Sequence, residues 1–98
     1  MAKKIEDISW RDLETGCIVK EAGSAREYLT GSWRSRRPIV NKAHCLKCGV
    51  CWLFCPDSAI VQLEDRYFEA DLNYCKGCGI CAHECPSACI SMHAEEEL

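Results

Sequence analysis

The sequence predicts a small α+β domain made of two similar halves, preceded by an arm that has no core of its own. Residues 44–61 realign onto residues 74–91 at a constant offset of 30, which matches every cysteine and the proline of the first copy to a counterpart in the second. Short runs of β-branched and aromatic residues near the copies are typical of brief strands. Residues 1–40 hold only one of the ten cysteines. The repeat therefore predicts pseudo-two-fold symmetry, and the change near residue 40 predicts the arm.

The strands are predicted in two pairs. Residues 60–63 and 67–70 flank a short charged turn and predict a hairpin. Residues 39–40 and 90–92 are predicted as a second strand pair, because two-fold pseudo-symmetry requires a partner for the hairpin. All four strands are short.

Two short helices are predicted, one beginning at Pro56 and the other at Pro86. Proline suits the first position of a helix because its missing N–H would have no partner there. Residues 57–59 and 87–89 would continue these helices.

Length and composition favour a small intracellular metal-binding domain over a secreted disulfide scaffold. A chain of 98 residues buries only a modest core, and ten cysteines could supplement it as disulfides or as metal ligands. A secreted chain needs an apolar signal segment, whereas Glu6 and Asp7 follow the basic start and no apolar run is long enough to span a membrane. The expected compartment is the reducing cytoplasm, where such cysteines indicate metal binding.

The charge of the chain bears on its partners. The formal net charge is −3, with 15 acidic and 12 basic residues. An acidic body repels nucleic acid and favours protein partners with basic faces. Neither nucleic acid nor a membrane is therefore expected as a partner.

Eight cysteines follow an iron–sulfur pattern. Each copy reads C-x2-C-x2-C-x3-C-P, the bacterial run in which three closely spaced cysteines hold one [4Fe–4S] cluster and the fourth ligates the other cluster. Two [4Fe–4S] clusters are therefore predicted, with ligands exchanged between the copies. The first takes Cys45, Cys48, Cys51 and Cys85, and the second takes Cys75, Cys78, Cys81 and Cys55. Because each cluster ties both halves together, the chain without metal is expected to be largely unfolded.

Zinc is the main alternative to iron–sulfur clusters. Two CxxC pairs can make a tetrahedral zinc site, but a third cysteine at the same spacing and a fourth before proline exceed what zinc requires, and the run occurs twice. A three-iron cluster usually follows when the middle cysteine is replaced, and both Cys48 and Cys78 are present. The pattern favours [4Fe–4S] clusters over both alternatives.

Two cysteines lie outside the pattern. Cys89 aligns with Ala59 and is expected to act as a small buried hydrophobic residue. Cys17 lies in the arm, where a half-buried thiol at a subunit contact is the simplest interpretation. No nucleophile–base constellation accompanies them, so no catalytic residue is predicted.

Three segments are predicted along the chain: an N-terminal docking arm at 1–38, a two-cluster domain at 39–94 and a solvated acidic tail at 95–98. The arm combines aromatic residues with arginine, the residue types that are enriched at protein interfaces. We expect it to contact other subunits through Trp10, Tyr28, Trp33, Arg34 and Arg37.

The arm and the first copy together resemble a known family. The stretch GSAREYLTGSWRSRRPIV at 23–40, followed by CLKCGVCWLFCPDSAI, is similar to the delta subunit of pyruvate:ferredoxin oxidoreductase and of related 2-oxoacid:ferredoxin oxidoreductases. The resemblance implies a bacterial 2[4Fe–4S] ferredoxin-like fold in a non-catalytic subunit of an oxygen-sensitive, CoA-acylating enzyme of anaerobes. Such a subunit passes electrons to external ferredoxin, while the thiamine diphosphate and coenzyme A chemistry belongs to other subunits. The resemblance favours pyruvate, but the chain does not encode the 2-oxoacid, and Cys17 and Cys89 depart from the family pattern.

Other functions would use the same cluster pattern. A free-standing diffusible ferredoxin, or an electron-entry subunit of another redox complex such as a hydrogenase, differs only in its partner. A structural metal module would scaffold a complex without electron flow. The identity of the partner distinguishes a diffusible ferredoxin or a subunit of another complex from the oxidoreductase subunit. A metal that cannot be reduced would indicate the structural module.

Overall fold

Two pairs of strands and two short helices make up the duplicated half of the chain. The structure, a computed structural model, describes residues 4–97, so residues 1–3 of the predicted arm and Leu98 of the predicted tail lie outside the described residues. The strands are β1 (Arg36–Val40), β2 (Ile60–Gln62), β3 (Phe68–Ala70) and β4 (Ile90–Ala94), and the helices are α1 (Val50–Phe54) and α2 (Ile80–Glu84). Short 3-10 helices occupy Ile5–Asp7, Trp10–Asp12, Ser24–Glu27, Thr30–Trp33 and Glu95–Glu97.

The strand pairing follows the predicted symmetry. β2 pairs antiparallel with β3, with Ile60 opposite Ala70, and β1 pairs antiparallel with β4, with Val40 opposite Ile90. The β1–β4 ladder is longer than predicted, because it continues to Arg36 opposite Ala94. The predicted α+β fold is confirmed.

The helices lie before Pro56 and Pro86, so the prediction that they begin at these prolines is wrong. Each helix ends one residue before the cysteine that precedes the proline, and at this cysteine the backbone is extended, with ψ of 116° at Cys55 and 117° at Cys85. A residue before proline avoids the α region because the proline ring collides with its backbone and Cβ. Proline therefore acts here as the stop of a helix rather than as its first residue.

The segments after the two prolines are turns. Ser58 and Ala88 both take a φ of 52°, in the left-handed region that interrupts any right-handed helix. Each turn then leads directly into a strand, β2 in the first copy and β4 in the second.

The hydrophobic core is small and joins the two halves. Cys81 of α2, Cys89 and Ile90 of β4 form a buried cluster, and Val40 of β1 and Cys51 of α1 pack against it. No large side chain among the described residues is completely buried. The buried hydrophobic residues are Ala59, Ile60, Phe68, Cys75, Cys81, Cys89 and Ile90. Because three of these seven are cysteines, the core coincides with the cysteine sites.

The last part of the arm is bonded to the domain. Gly31 is buried, and its N–H donates to the carbonyl of Asn73 at 2.8 Å. The hydroxyl of Tyr74 donates to the carbonyl of Arg26. β1 itself begins at Arg36, so the predicted boundary between residues 38 and 39 falls inside a strand.

Glu95 is not solvated as the acidic tail was predicted to be. Its carboxylate accepts hydrogen bonds from Arg34 at 3.1 Å and from Arg37 at 3.1 Å, and its N–H donates to the carbonyl of Ser35 at 2.9 Å. The prediction failed because the pairing joins residues about 60 positions apart, which a run of three glutamates does not reveal. The tail and the end of the arm therefore hold each other on the domain.

The rest of the arm extends away from this anchor, and the described chain is elongated, with extents of 53 × 28 × 22 Å. The arm exposes large apolar side chains along its length, namely Ile8, Trp10, Leu13, Ile18, Val19, Tyr28 and Leu29. Within residues 4–97, no helix combines the length and apolar character needed to cross a membrane.

Candidate metal centres

The eight pattern cysteines fall into two groups of four, and each group lines its own cavity. The cavities comprise about 310 and 350 Å³ of space free of protein atoms, part of it open to solvent. Cys45, Cys48, Cys51 and Cys85 line the first, and Cys55, Cys75, Cys78 and Cys81 line the second. We call these cavity 1 and cavity 2.

The two helices distribute their cysteines between the cavities. Cys51 lies in the first turn of α1 and Cys55 follows its last residue, so the two are about 6 Å apart along the helix axis. Cys51 therefore lines cavity 1, while Cys55 reaches cavity 2. α2 packs against α1 and does the reverse, with Cys81 at cavity 2 and Cys85 at cavity 1.

Glycine allows the ligand loops to turn tightly. Gly49 and Gly79 precede the helices with φ of 77° and 82°, a region that residues with a Cβ rarely adopt. Gly77 has a φ of 68°, and a Cβ there would collide with the carbonyl of Arg36. The loop of cavity 2 can therefore press against β1 only because residue 77 is glycine.

Backbone N–H groups point at cysteine sulfur in both copies. The N–H of Lys47 donates to Cys45 Sγ and that of Gly77 to Cys75 Sγ, each at 3.4 Å, at equivalent positions of the repeat. The N–H of Ala59 donates to Cys55 Sγ at 3.2 Å. Such donors stabilise negative charge on a metal-bound thiolate.

The two cavities differ in burial. Cys75 and Cys81 at cavity 2 are buried and Cys55 is half-buried, whereas Cys45, Cys51 and Cys85 at cavity 1 are all half-buried. One cysteine of each cavity, Cys48 or Cys78, is exposed. Burial raises the pKa of Cys81 to about 11 and also raises that of Cys51. These thiols are therefore protonated near neutral pH until a metal displaces the proton.

Cys85 has side-chain neighbours that set it apart from the other pattern cysteines. Its Sγ lies 3.5 Å from the Oγ of Ser87 and 3.4 Å from the Sγ of Cys89. Partial burial raises the pKa of Cys85, but the hydrogen bonds with Ser87 and Cys89 outweigh it and lower the pKa to about 7. Burial and the neighbouring Cys85 raise the pKa of Cys89.

Cys89 is thus more than the buried hydrophobic residue that the sequence indicated. It is buried as expected, but it also lines cavity 1 beside Cys85. The repeat contains a signal for this role, because Cys89 stands where the first copy has Ala59. The pattern did not reveal which ligand it would touch, since that contact depends on the turn after Pro86.

The donor set fits one [4Fe–4S] cluster in each cavity. A cubane takes one thiolate on each of four irons, so its four sulfur ligands surround it rather than converge on a single point. Among residues 4–97, no three His, Cys, Asp or Glu side chains come together closely enough to hold a single metal ion. Four thiols distributed around each cavity match this arrangement of a cluster's ligands.

The five residues predicted to contact partners behave in two ways. Trp10, Tyr28 and Trp33 are exposed, and the last two meet edge to face with ring centroids 6.0 Å apart. Arg34 and Arg37 instead bind Glu95 within the chain, and the Arg34 side chain is only 9% exposed. The two arginines therefore anchor the arm, and of these five residues the three aromatic ones have largely exposed side chains. Cys17 is exposed in the arm, remote from both groups of cysteines in the sequence.

A second exposed apolar surface lies on α1, the helix between the two cavities. Trp52, Leu53 and Phe54 are 57%, 67% and 48% exposed. The equivalent positions of α2 carry Ala82, His83 and Glu84. The two copies are therefore alike at their cysteines and different at their surfaces.

Comparison with known proteins identifies a family model and relatives that align with much of the chain. Residues 38–92 match a family model described as a 4Fe-4S dicluster domain. The chain is 46% identical over 91% of its length to the pyruvate synthase subunit PorD of Thermotoga maritima, and covers 90% of that protein. It is 52% identical over 69% of its length to the ketoisovalerate oxidoreductase subunit VorD of Pyrococcus furiosus, covering 65% of that protein. It is also 52% identical over 48% of its length to the delta subunit of an NADH-dependent phenylglyoxylate dehydrogenase of Aromatoleum evansii, covering 50% of that subunit.

Proposed function

This chain belongs to the 4Fe–4S dicluster family and to the PorD family of oxidoreductase subunits, and from that membership we propose that it is the electron-transfer subunit of a 2-oxoacid:ferredoxin oxidoreductase. The observation that carries the proposal is the pair of cavities, each lined by four cysteines, in a chain that aligns with a pyruvate synthase subunit over 91% of its length. It holds two [4Fe–4S] clusters, which supply one-electron redox chemistry when bound.

We propose that the ligands are exchanged between the copies. Cys45, Cys48, Cys51 and Cys85 hold one cluster, and Cys75, Cys78, Cys81 and Cys55 hold the other. The support is the position of each helix between two cavities, with a cysteine at either end. α1 and α2 then act as rigid spacers that fix the distance between the clusters.

The remaining residues of the sites exclude water and supply hydrogen bonds. Phe68 and Ile90 line cavity 1, and Ala59 and Ile60 line cavity 2, so both cavities have buried apolar walls. Backbone N–H groups such as that of Lys47 stabilise the charge on sulfur. The protein's task is thus to hold, space and tune the clusters, while the redox chemistry belongs to the cofactor.

We propose that the substrate of the complex is a 2-oxoacid, with pyruvate favoured. A pyruvate synthase subunit aligns with 91% of this chain, but similar subunits are named for ketoisovalerate and phenylglyoxylate enzymes. A subunit shared across these substrates has no need to contact any of them. The substrate is therefore a property of the other subunits.

We propose that the arm docks on the other subunits in the cytoplasm and that external ferredoxin accepts the electrons. The exposed apolar side chains of the arm, with Trp10 at 77% exposed, support docking, because a segment that buries so little is stabilised by a partner. A diffusible ferredoxin would have no use for such an arm.

Anaerobic purification from the native source tests the proposal. We expect the chain to co-elute with larger subunits and to contain about eight irons and about eight sulfides. Dithionite should then produce the electron paramagnetic resonance signals of reduced [4Fe–4S] clusters. Zinc in place of iron, or iron that dithionite does not reduce, would contradict the proposal that the chain holds reducible [4Fe–4S] clusters. A chain that elutes alone would favour the diffusible ferredoxin.

A further inference from the structure

The Sγ of Cys85 has two side-chain hydrogen-bond neighbours, Ser87 and Cys89, at 3.5 and 3.4 Å. Cys89 is only 6% exposed and lines cavity 1 together with Cys85. We infer that Ser87 and Cys89 donate hydrogen bonds to the Cys85 thiolate and raise the reduction potential of the cluster in cavity 1 above that of the cluster in cavity 2. This inference rests on the proposed function, because it assigns unequal roles to the two clusters.

The direction of these hydrogen bonds follows from ligation. A cysteine that binds iron is a thiolate and can only accept a hydrogen bond. The proton between the two sulfur atoms therefore belongs to Cys89, and the hydroxyl of Ser87 can likewise turn its hydrogen toward Cys85. Both are positioning residues, since they act through Cys85 and are not ligands themselves.

The sign of the effect follows from charge. An added electron increases the negative charge on the cluster and its sulfur ligands, so a donor to sulfur stabilises the reduced form more than the oxidised form. Two such donors at Cys85 therefore favour reduction of the cluster in cavity 1.

The first copy of the repeat provides an internal comparison. At the positions equivalent to Ser87 and Cys89 it carries Asp57 and Ala59. The Asp57 carboxylate pairs with Lys76 at 3.3 Å and has no hydrogen to donate, and Ala59 offers only a methyl group and its backbone N–H. The ligand Cys55 therefore lacks both side-chain donors.

The burial of the ligands acts in the same direction. Cys75 and Cys81 of cavity 2 are buried, and a buried site disfavours the additional negative charge of the reduced state. Hydrogen bonding at cavity 1 and burial at cavity 2 together separate the two potentials. The electron of a singly reduced chain should consequently reside in cavity 1.

The test is a mediated redox titration of the cluster-loaded full chain, followed by electron paramagnetic resonance. Contact-shifted cysteine protons in nuclear magnetic resonance spectra assign each one-electron transition to its cavity. We expect C89A to reduce the equilibrium constant for reduction of the cavity 1 cluster about tenfold, a shift of ~59 mV for one electron. The potential of the cavity 2 cluster should not change.

Three further variants distinguish hydrogen bonding from packing. C89S keeps a donor in place and should retain most of the wild-type potential. S87A removes a hydroxyl from the half-buried turn and should lower the potential of the cavity 1 cluster. It therefore provides the test even if C89A does not assemble its clusters. C17A is the matched control, because it removes an exposed thiol of the arm, and it should leave both potentials unchanged.

The outcomes separate this inference from the proposed function. Equal potentials in a chain with about eight irons, or a shift of both clusters in C89A and in S87A, would overturn the inference and leave the electron-transfer function intact. Absence of reducible iron in the unmodified chain would overturn the proposed function instead.

Discussion

Glu95 fixes the arm through one side chain at the far end of the sequence. Its carboxylate accepts hydrogen bonds from Arg34 and Arg37, so a neutral amide at this position would break a charge-assisted pair. We expect E95Q to release the end of the arm at neutral pH. Faster hydrogen exchange at residues 30–35 measures the release, and E96Q, which changes an exposed neighbour, is the control. Unchanged exchange in E95Q would show that backbone bonds alone hold the arm.

The same carboxylate predicts a pH dependence. Hydrogen bonds from Arg37 and then Arg34 lower the pKa of Glu95 from 4.5 to about 2. A carboxylate with a lowered pKa stabilises the folded arm fully at a pH above its ordinary pKa. This contribution is lost as the pH falls through the lowered pKa. The anchoring of the arm should therefore persist to a pH well below 4.5 in the native chain. Hydrogen exchange at residues 30–35, corrected for its intrinsic pH dependence, measures this anchoring. In E95Q it should no longer respond to pH between about 4.5 and 2.

Gly31 is the second anchor of the arm. A Cβ at this position would collide with the carbonyl of Leu72, and the N–H of Gly31 already donates to Asn73. We expect G31A to destabilise the packed end of the arm by about 1–3 kcal/mol, the usual range for overpacking. Hydrogen exchange and thermal unfolding measure the loss, with S32A at the exposed neighbour as control. A G31A variant as stable as S32A would mean that the arm can shift without penalty.

At the scale of elements, the two helices exchange their terminal cysteines between the cavities. Cys55 follows α1 and Cys85 follows α2, and each lines the cavity whose other cysteines come from the opposite copy. We expect C55S to damage the cluster held by residues 75–81, and C85S to damage the cluster held by residues 45–51. Iron analysis and cluster-resolved electron paramagnetic resonance measure the loss. Preferential loss of the cluster of the same copy would rule out exchanged ligation.

Most of these elements are predictable from the sequence because each feature of one copy of the repeat has a counterpart in the other copy. Both strand pairs were found from short apolar runs and symmetry, and the grouping of cysteines in the cavities matches the groups that spacing indicated. The helices were misplaced because proline can begin a helix or end one, and only the ψ of Cys55 and Cys85 distinguishes the two. The helix position therefore needed the backbone, which the pattern does not contain.

Non-local contacts account for the other differences. The sequence predicts that aromatic and arginine residues of the arm form one interface, whereas Arg34 and Arg37 bind Glu95 within the chain. The contact of Cys89 with Cys85 was equally hidden, because it depends on a left-handed residue at Ala88. Composition identified residues suited to contacts, and only the fold determines which partner each one meets.

At the scale of the whole molecule, the arm exposes Trp10, the aromatic residue that lies farthest along the sequence from the anchor at Arg34. Trp10 is 77% exposed and contacts Arg11 in a cation–π geometry at 5.2 Å. If the arm docks on another subunit, W10A should weaken association by about 2 kcal/mol, or about thirtyfold, as buried aromatic anchors do. Both clusters should remain. K20A, at an exposed charged residue of the arm, is the control, and equal affinity of W10A and the native chain would argue against docking through Trp10.

Metal removal tests what stabilises the molecule as a whole. The core contains seven buried residues, three of them cysteines at or beside the cavities, and no large side chain among the described residues is completely buried. Such a core supplies little free energy of unfolding, whereas thiolate–metal bonds tie both halves together at two sites. We expect chelation under anaerobic conditions to remove both clusters together and to unfold both strand pairs at the same rate as iron is lost. Circular dichroism and iron absorbance measure the two rates, and refolding with iron and sulfide controls for irreversible damage. Strand signals that persist after the iron is gone would show that the protein core, rather than the metal, holds the two halves together.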